Sequence, residues 1–84
     1  MDNVYVKQFS QLTTNELFDI YKLRVAVFVV EQKCYYQEVD DDDKISYHLM
    51  FKDVRGQLTA YARIIPEQNR TVARIGRVVV DPQS

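Results

Sequence analysis

The 84-residue sequence predicts a single domain of the α/β (α+β) class, with elements in the order β-α-β-β-β. The first observation is a helix-start signature followed by apolar residues at helical spacing. The second is a set of later segments rich in Val, Ile and aromatic residues that alternate with a period of two. The third is the scarcity of turn formers, two Gly and two Pro, which favours a few rather long elements over a many-stranded barrel.

The first strand and the helix are the opening elements. Val4–Phe9 is rich in β-branched and aromatic residues and predicts a strand. Thr13 and Glu16 fit a capping box, in which each side chain bonds the main chain at the other's position. Apolar side chains then recur at helical spacing, which predicts a helix over about residues 14–29: Leu17, Ile20, Tyr21, Val27 and Phe28.

Arg24 interrupts the apolar stripe of this helix. A guanidinium at such a position can pair with a carboxylate such as Glu31 or Glu38, extend its head group to solvent, or face a ligand cleft. We favour the structural ion pair.

The segment Glu31–Ile45 has no clean periodicity and predicts a structured loop that could include a short helical turn. Its acidic run Asp40–Asp43 suggests calcium, but Lys44 and Ile45 stand where an EF-hand loop needs a ligand and a Gly. No metal site is therefore expected, and a solvated acidic loop is the simpler interpretation.

Three strands are predicted in the second half. Ser46–Lys52 places Tyr47, Leu49 and Phe51 on one face, and Asp53–Gly56 is a tight turn with Gly at a position of positive φ. Gln57–Ile65 is the return strand, which Pro66 ends. Thr71–Val80 is a third strand whose nearly continuous apolar run predicts burial on both faces.

The sequence has one His and one Cys, and each could have a chemical role or a structural one. His48 can be a catalytic base or a packed structural side chain, and without a visible partner the structural role is favoured. Cys34 lacks a nucleophile signature, so we expect an ordinary thiol. Several tyrosines could line a cleft or simply pack with the hydroxyl at the rim: Tyr21, Tyr35, Tyr36 and Tyr61.

The charge balance and the N-terminus bear on which partners and which location to expect. A formal net charge of −1 gives no reason to expect nucleic acid or an anionic membrane as partner. Met1–Asn3 has no basic or apolar leader character, and the nearly uncharged stretch Val25–Val30 is too short to span a bilayer. A cytoplasmic location is expected.

Four linked segments together resemble the ElaA-like branch of the GNAT acetyltransferases. Leu23–Gln32 is similar to the first-helix signature of that branch, and Cys34–Asp40 is similar to the segment that follows it. Ala60–Pro66 and Ala73–Val80 resemble its third and fourth strands. Tyr35 departs from the pattern, because the branch usually has Pro there. The resemblance spans nearly the whole chain in register and corresponds to the N-terminal half of a GNAT fold, with a mainly antiparallel sheet.

The resemblance implies acetyl transfer from acetyl-CoA to a small-molecule or peptide amine. It assigns the pantetheine arm to main-chain groups of Val78, Val79 and Val80, much as an added strand would bind. A main-chain N–H there could polarise the thioester carbonyl. Glu31 or His48 could take the proton of the amine, and the acidic residues Glu31, Glu38 and Asp40 near the acceptor could attract it.

The same resemblance predicts that the chain does not work alone. The family holds the pyrophosphate on a glycine-rich loop after the fourth strand, and residues 1–84 are expected to form a partial domain that lacks this loop and the C-terminal half. The alternative is a non-catalytic module that forms a homo-oligomer through the exposed edge of strand 71–80, since unpaired strand edges bind other chains.

Overall fold

The computed structural model describes residues 3–33, 37–66 and 73–82. Four strands, β1 (Asn3–Gln8), β2 (Tyr47–Lys52), β3 (Leu58–Pro66) and β4 (Ala73–Val80), form one sheet in the order β1-β2-β3-β4. Every pair of neighbours is antiparallel. The predicted fold class and order of elements are confirmed. The predictions for Cys34, Tyr35 and Tyr36 and for the loop after Pro66 concern residues outside those described.

The helical region has two parts. A short 3-10 turn, Phe9–Gln11, precedes helix α1 (Thr14–Arg24), whose capping box is formed as predicted. The Thr13 side chain accepts from the Glu16 N–H at 3.0 Å, and Glu16 Oε1 accepts from the Thr13 N–H at 2.9 Å. The helix then continues as a π-helix, Val25–Glu31, so it runs two residues further than predicted and with a wider turn. A second short helix, α2 (Asp42–Ile45), is the helical turn foreseen in the acidic segment.

The helix packs on one face of the sheet, and strand pairing decides which residues meet it. Met50, Tyr61 and Val79 are aligned across three strands, and they form the core with Ile20, Leu23 and Val27 of the helix. Tyr47, Leu49 and Phe51 do share a face, but it is the face turned away from the helix. The buried side of β2 is His48 and Met50, both 0% exposed.

The prediction that β4 is buried on both faces is wrong. Only Val79 of this strand is buried, while Ile75, Val78 and Val80 are 62–68% exposed. Among the described residues β4 is an edge strand, and the helix covers one face of it only. The apolar side chains of β4 therefore lie on a strand whose outer edge is open and whose second face is not covered.

The turn between β2 and β3 forms as predicted, with Gly56 at φ 81°. Asp53 accepts the N–H groups of Arg55 and Gln57 through Oδ1 at 2.9 and 3.0 Å, which closes the turn. In the parts of the chain that the structure describes, no helix is both long and apolar enough to cross a bilayer.

Candidate functional site

Arg24 is the centre of a buried ion network. Its side chain is 0% exposed, and Nε donates to Glu38 Oε2 at 2.8 Å while Nη1 donates to Asp43 Oδ1 at 2.7 Å. Nη2 donates to the Glu38 carbonyl at 2.6 Å. The guanidinium also lies 5.4 and 5.8 Å from the ring centroids of Tyr21 and Tyr61. The predicted pair with Glu38 is confirmed, and Asp43 is a further partner.

Two strand arginines complete this network. Arg63 on β3 donates through Nη1 to Asp40 Oδ1 at 2.7 Å and to Asp43 Oδ1 at 3.2 Å. Arg77 on β4 donates through Nε to Glu38 Oε2 at 3.0 Å. The carboxylates therefore connect the acidic segment to the helix and to both strands.

The acidic segment is thus not the solvated loop that the sequence suggested. Glu38 and Asp43 are buried, at 7% and 1% exposure, because their charges are compensated by arginines. Glu38 and Asp40, which are predicted to attract a cationic amine, pair with arginines: Glu38 accepts from Arg24 and Arg77, and Asp40, whose side chain is 31% exposed, accepts from Arg63. Among the described residues no group of His, Cys, Asp and Glu is arranged to hold a metal ion.

His48 is packed into the same core. Its Nε2 lies 2.8 Å from the Asp43 carbonyl, which can only accept, so Nε2 carries the proton. Nδ1 therefore accepts from the Tyr61 hydroxyl at 2.6 Å. Burial lowers the pKa of His48 and raises that of Tyr61. Both ring nitrogens are occupied, as the structural alternative requires.

Strand β4 carries a bulge in the segment where coenzyme contacts were expected. Tyr61 pairs with Val79 and Arg63 with Gly76, so Arg77 and Val78 together stand opposite Ala62. Arg77 has φ 52°, in the left-handed region. A bulge of this kind interrupts the ladder and re-aims the residues beside it.

The ladder fixes which main-chain groups of β4 face outward. The Asp81 N–H donates to the Thr59 carbonyl at 2.8 Å, so Asp81 and, two residues earlier, Val79 bond to β3. The N–H and C=O of Val80, between them, point to the open edge. Val78 lies within the bulge, where this alternation is interrupted. Of the three residues assigned to the pantetheine arm, Val79 is 4% exposed while Val78 and Val80 are exposed.

A groove of about 440 Å³ lies between the helical region and the ends of β3 and β4. Glu31, at the end of the π-helix, lines it together with Asp19 and Lys22 from α1. Thr59 and Asp81 line its opposite wall, the latter directly after β4. The structure therefore brings Glu31 to the same groove as the end of β4, whereas His48 is not among the residues that line it.

Sequence reasoning missed Arg63 and Arg77 as members of the ion network. The signal that identified Arg24 was a charged residue on an apolar stripe. Alternation on β3 puts Arg63 on the face opposite the wholly apolar set Leu58, Ala60, Ala62 and Ile64, so Arg63 gave no such signal. Arg77 gave no such signal, because the bulge changes the alternation around it.

The sequence relatives that this chain matches are longer than the chain itself. No family model matches it. A UPF0039 protein of Schizosaccharomyces pombe is 62% identical over 76 residues, covering 90% of this chain and 50% of the relative. The protein ElaA of Escherichia coli is 41% identical over 75 residues, covering 84% and 48%. The chain spans about half the length of the curated relatives it matches.

Two solved structures have the same fold over this chain. An acyl-CoA N-acyltransferase from Pseudomonas aeruginosa matches with a TM-score of 0.85 and 42% identity, over 98% of this chain and 57% of that one. The crystal structure of Escherichia coli ElaA matches with a TM-score of 0.89 and 36% identity, over 100% and 58%.

Proposed function

This chain is related to the ElaA-like branch of the GNAT N-acyltransferases and has the fold of about half of such a protein, and we propose that it supplies the coenzyme-binding strand of an acetyltransferase. The reaction is transfer of an acetyl group from acetyl-CoA to an amine. The observation that carries the proposal is the bulged edge strand β4 in a chain that overlays an acyl-CoA N-acyltransferase.

The main-chain groups of Val78 and Val80 are the proposed contacts for the pantetheine arm. An extended chain that bears amides can bond to an open strand edge as an added strand does. A free N–H on this edge can also donate to the thioester oxygen as negative charge develops there. Val79 contributes differently, because its main chain bonds β3 and its side chain anchors β4 in the core.

The chemistry requires a proton acceptor near the end of β4. The amine nitrogen attacks the thioester carbon, a C–N bond forms and the C–S bond breaks. The proton that the nitrogen loses is passed on to the departing thiolate, which gives coenzyme A. We propose Glu31 as the group that takes the proton of the amine, because it is exposed and lines the groove beside β4. His48 is the less suitable base, since both of its ring nitrogens are engaged inside the core.

We further propose that residues 1–84 act as a partial GNAT domain and bind acetyl-CoA weakly by themselves. The matches cover about half of each relative, and the pyrophosphate site is expected in the part that the match leaves out. Activity therefore requires the complementary half. The acceptor amine and the expected cytoplasmic location stay predictions.

The test is an NMR titration of the isotope-labelled chain with acetyl-CoA. We expect shifts at the amides of Val78 and Val80, with an affinity in the millimolar range. Val80→Pro removes an outward N–H without breaking a bond to β3, so it should weaken the binding and reduce the shift at the Val78 amide while β3 and β4 stay paired. An adenosine diphosphate, which lacks the pantetheine arm, is the control ligand and should not shift the amide signals of Val78 and Val80. Shifts confined to other surfaces would contradict the proposed strand contacts, and micromolar affinity would contradict weak binding.

The second candidate function is a non-catalytic module that self-associates. It is favoured by the exposed apolar side chains of Ile75, Val78 and Val80 on an edge strand. A second copy paired along this edge would occupy the groups proposed for the coenzyme.

A further inference from the structure

In the β4 bulge, an arginine adopts the left-handed backbone conformation although its neighbour in the chain is a glycine. Arg77 has φ 52°, whereas Gly76 does not have a positive φ. Bulges of this type favour Gly at the left-handed position, because a side chain crowds the main chain there. Such a conformation persists only where the surroundings hold it. Something other than the intrinsic preference of residues 76 and 77 therefore determines where the bulge forms.

The side chain of Arg77 provides a suitable anchor. The side chain is 15% exposed, with Nε 3.0 Å from Glu38 Oε2 and Nη2 3.6 Å from Asp40 Oδ2. Nη2 also donates to the Glu38 carbonyl at 3.4 Å. The head group therefore contacts both the side chain and the main chain of Glu38.

The anchor point is itself fixed. Glu38 is 7% exposed, and its Oε2 accepts from Arg24 Nε as well as from Arg77 Nε. Arg24 belongs to α1 and is fully buried. Its bond to Glu38 therefore fixes the position of Glu38 relative to the core of the domain. The route from the helix to the bulge is a chain of charge-assisted hydrogen bonds.

We propose that Arg77 is a positioning residue, whose ion pair with Glu38 holds the β4 bulge and thereby turns Val78 and Val80 to the open edge. The inference deepens the proposed function and rests on it for the ligand. It assigns the acidic segment a role in that site without contact to substrate: the segment holds the strand that binds the coenzyme.

The test compares Arg77→Ala with Arg77→Gly in the 84-residue chain, with Arg55→Ala as the control for loss of an exposed arginine. Both variants at 77 lose the guanidinium, but only Gly adopts positive φ readily. Coupling constants that report φ at residue 77, and cross-strand contacts for Tyr61 with Val79 and Arg63 with Gly76, show whether the bulge is present. We expect the bulge in the parent chain, Arg77→Gly and Arg55→Ala, and its loss in Arg77→Ala.

Each other outcome is decisive. An intact bulge in Arg77→Ala would overturn the proposal, and so would loss of folding in both variants, which would make Arg77 a stability residue only. Loss of folding in Arg77→Ala alone supports it, since the two variants differ in their tolerance of positive φ.

Acetyl-CoA separates this inference from the proposed function. Where Arg77→Ala folds, its affinity should fall by about tenfold relative to Arg77→Gly. If acetyl-CoA does not shift the amide signals of Val78 and Val80 even in the parent chain, the proposed coenzyme site is wrong. The dependence of the bulge on Arg77 is still measured in that case, because it needs no ligand.

Discussion

Arg24 Nη1 lies 2.7 Å from Asp43 Oδ1, and this contact joins helix α1 to the short helix α2 inside the core. Both side chains are withdrawn from solvent, at 0% and 2% exposure. Their opposite charges and the further hydrogen bonds of Arg24 offset the unfavourable removal of two ions from water. The acidic segment therefore packs as part of the domain.

Replacing Arg24 with Met should destabilise the domain strongly. The change leaves Glu38 and Asp43 without their central cation, and breaking a buried ion pair from one side costs about 3–5 kcal/mol. The free energy of unfolding is measured by urea denaturation followed by circular dichroism. Lys22→Ala, on the exposed side of the same helix, is the matched control and should shift it by less than about 0.5 kcal/mol. An unchanged midpoint in Arg24→Met would show that the network contributes little.

Glu16 should make the stability depend on pH in acid. Burial by itself raises its pKa, but the Thr13 N–H, Lys52 and Lys7 outweigh this and lower the pKa from 4.5 to about 2. A folded-state pKa below the unfolded value stabilises above pH 4.5, and this contribution is lost as the pH falls toward 2. Glu16→Gln can still form the capping box but loses both ion pairs, so it should lower the stability at neutral pH by up to about 3 kcal/mol.

The measurement for Glu16 is a series of urea midpoints between neutral and acid pH. The parent chain and Glu16→Gln should converge as the pH falls. Asp19→Asn, an exposed acid on the same helix, is the control and should run parallel to the parent. Curves for Glu16→Gln that stay parallel to the parent throughout would contradict the assigned pKa.

Tyr61→Phe should leave His48 Nδ1 buried without its donor. The expected loss of stability is about 1–3 kcal/mol, the typical effect of an unsatisfied buried polar group. Tyr47→Phe removes a hydroxyl on the exposed side of β2 and should have a much smaller effect. Equal effects in the two variants would argue against the hydrogen bond between Tyr61 and His48.

His48 should stay neutral below the pH at which an ordinary histidine gains its proton. Burial lowers its folded-state pKa below 6.5, so the unfolded state binds more protons, and stability falls as the pH drops below 6.5. NMR of the imidazole ring gives both the pKa and the tautomer, which should carry its proton on Nε2. A ring that titrates at or above 6.5 would contradict the packed role.

Self-association through β4 is tested with a charge on its edge. If copies pair along this strand, light scattering should show dimers or larger species that Val78→Lys converts to monomers, because charged edge residues oppose pairing. Val54→Lys, on the exposed β2-β3 turn, is the control and should leave the association unchanged. A monomeric parent chain at high concentration would argue against the self-associating module.

Local signals in the sequence were sufficient for the elements. The capping box at Thr13 and Glu16 and the turn ending at Gly56 depend on contacts between residues close in the chain. Such patterns can be interpreted one segment at a time. The resemblance to the ElaA-like branch was also visible without a structure, because it rests on residues in linear order.

The sequence by itself determined the fold class, the strands and the anomaly of a charged residue at Arg24. Only the tertiary structure decided which face of β2 meets the helix, where β4 bulges and which arginine each acid pairs with. Alternation shows that two faces of a strand differ, but the packed face is chosen by the partner that covers it. The ion pairs join positions 14 to 39 residues apart, where no local pattern relates one residue to the other.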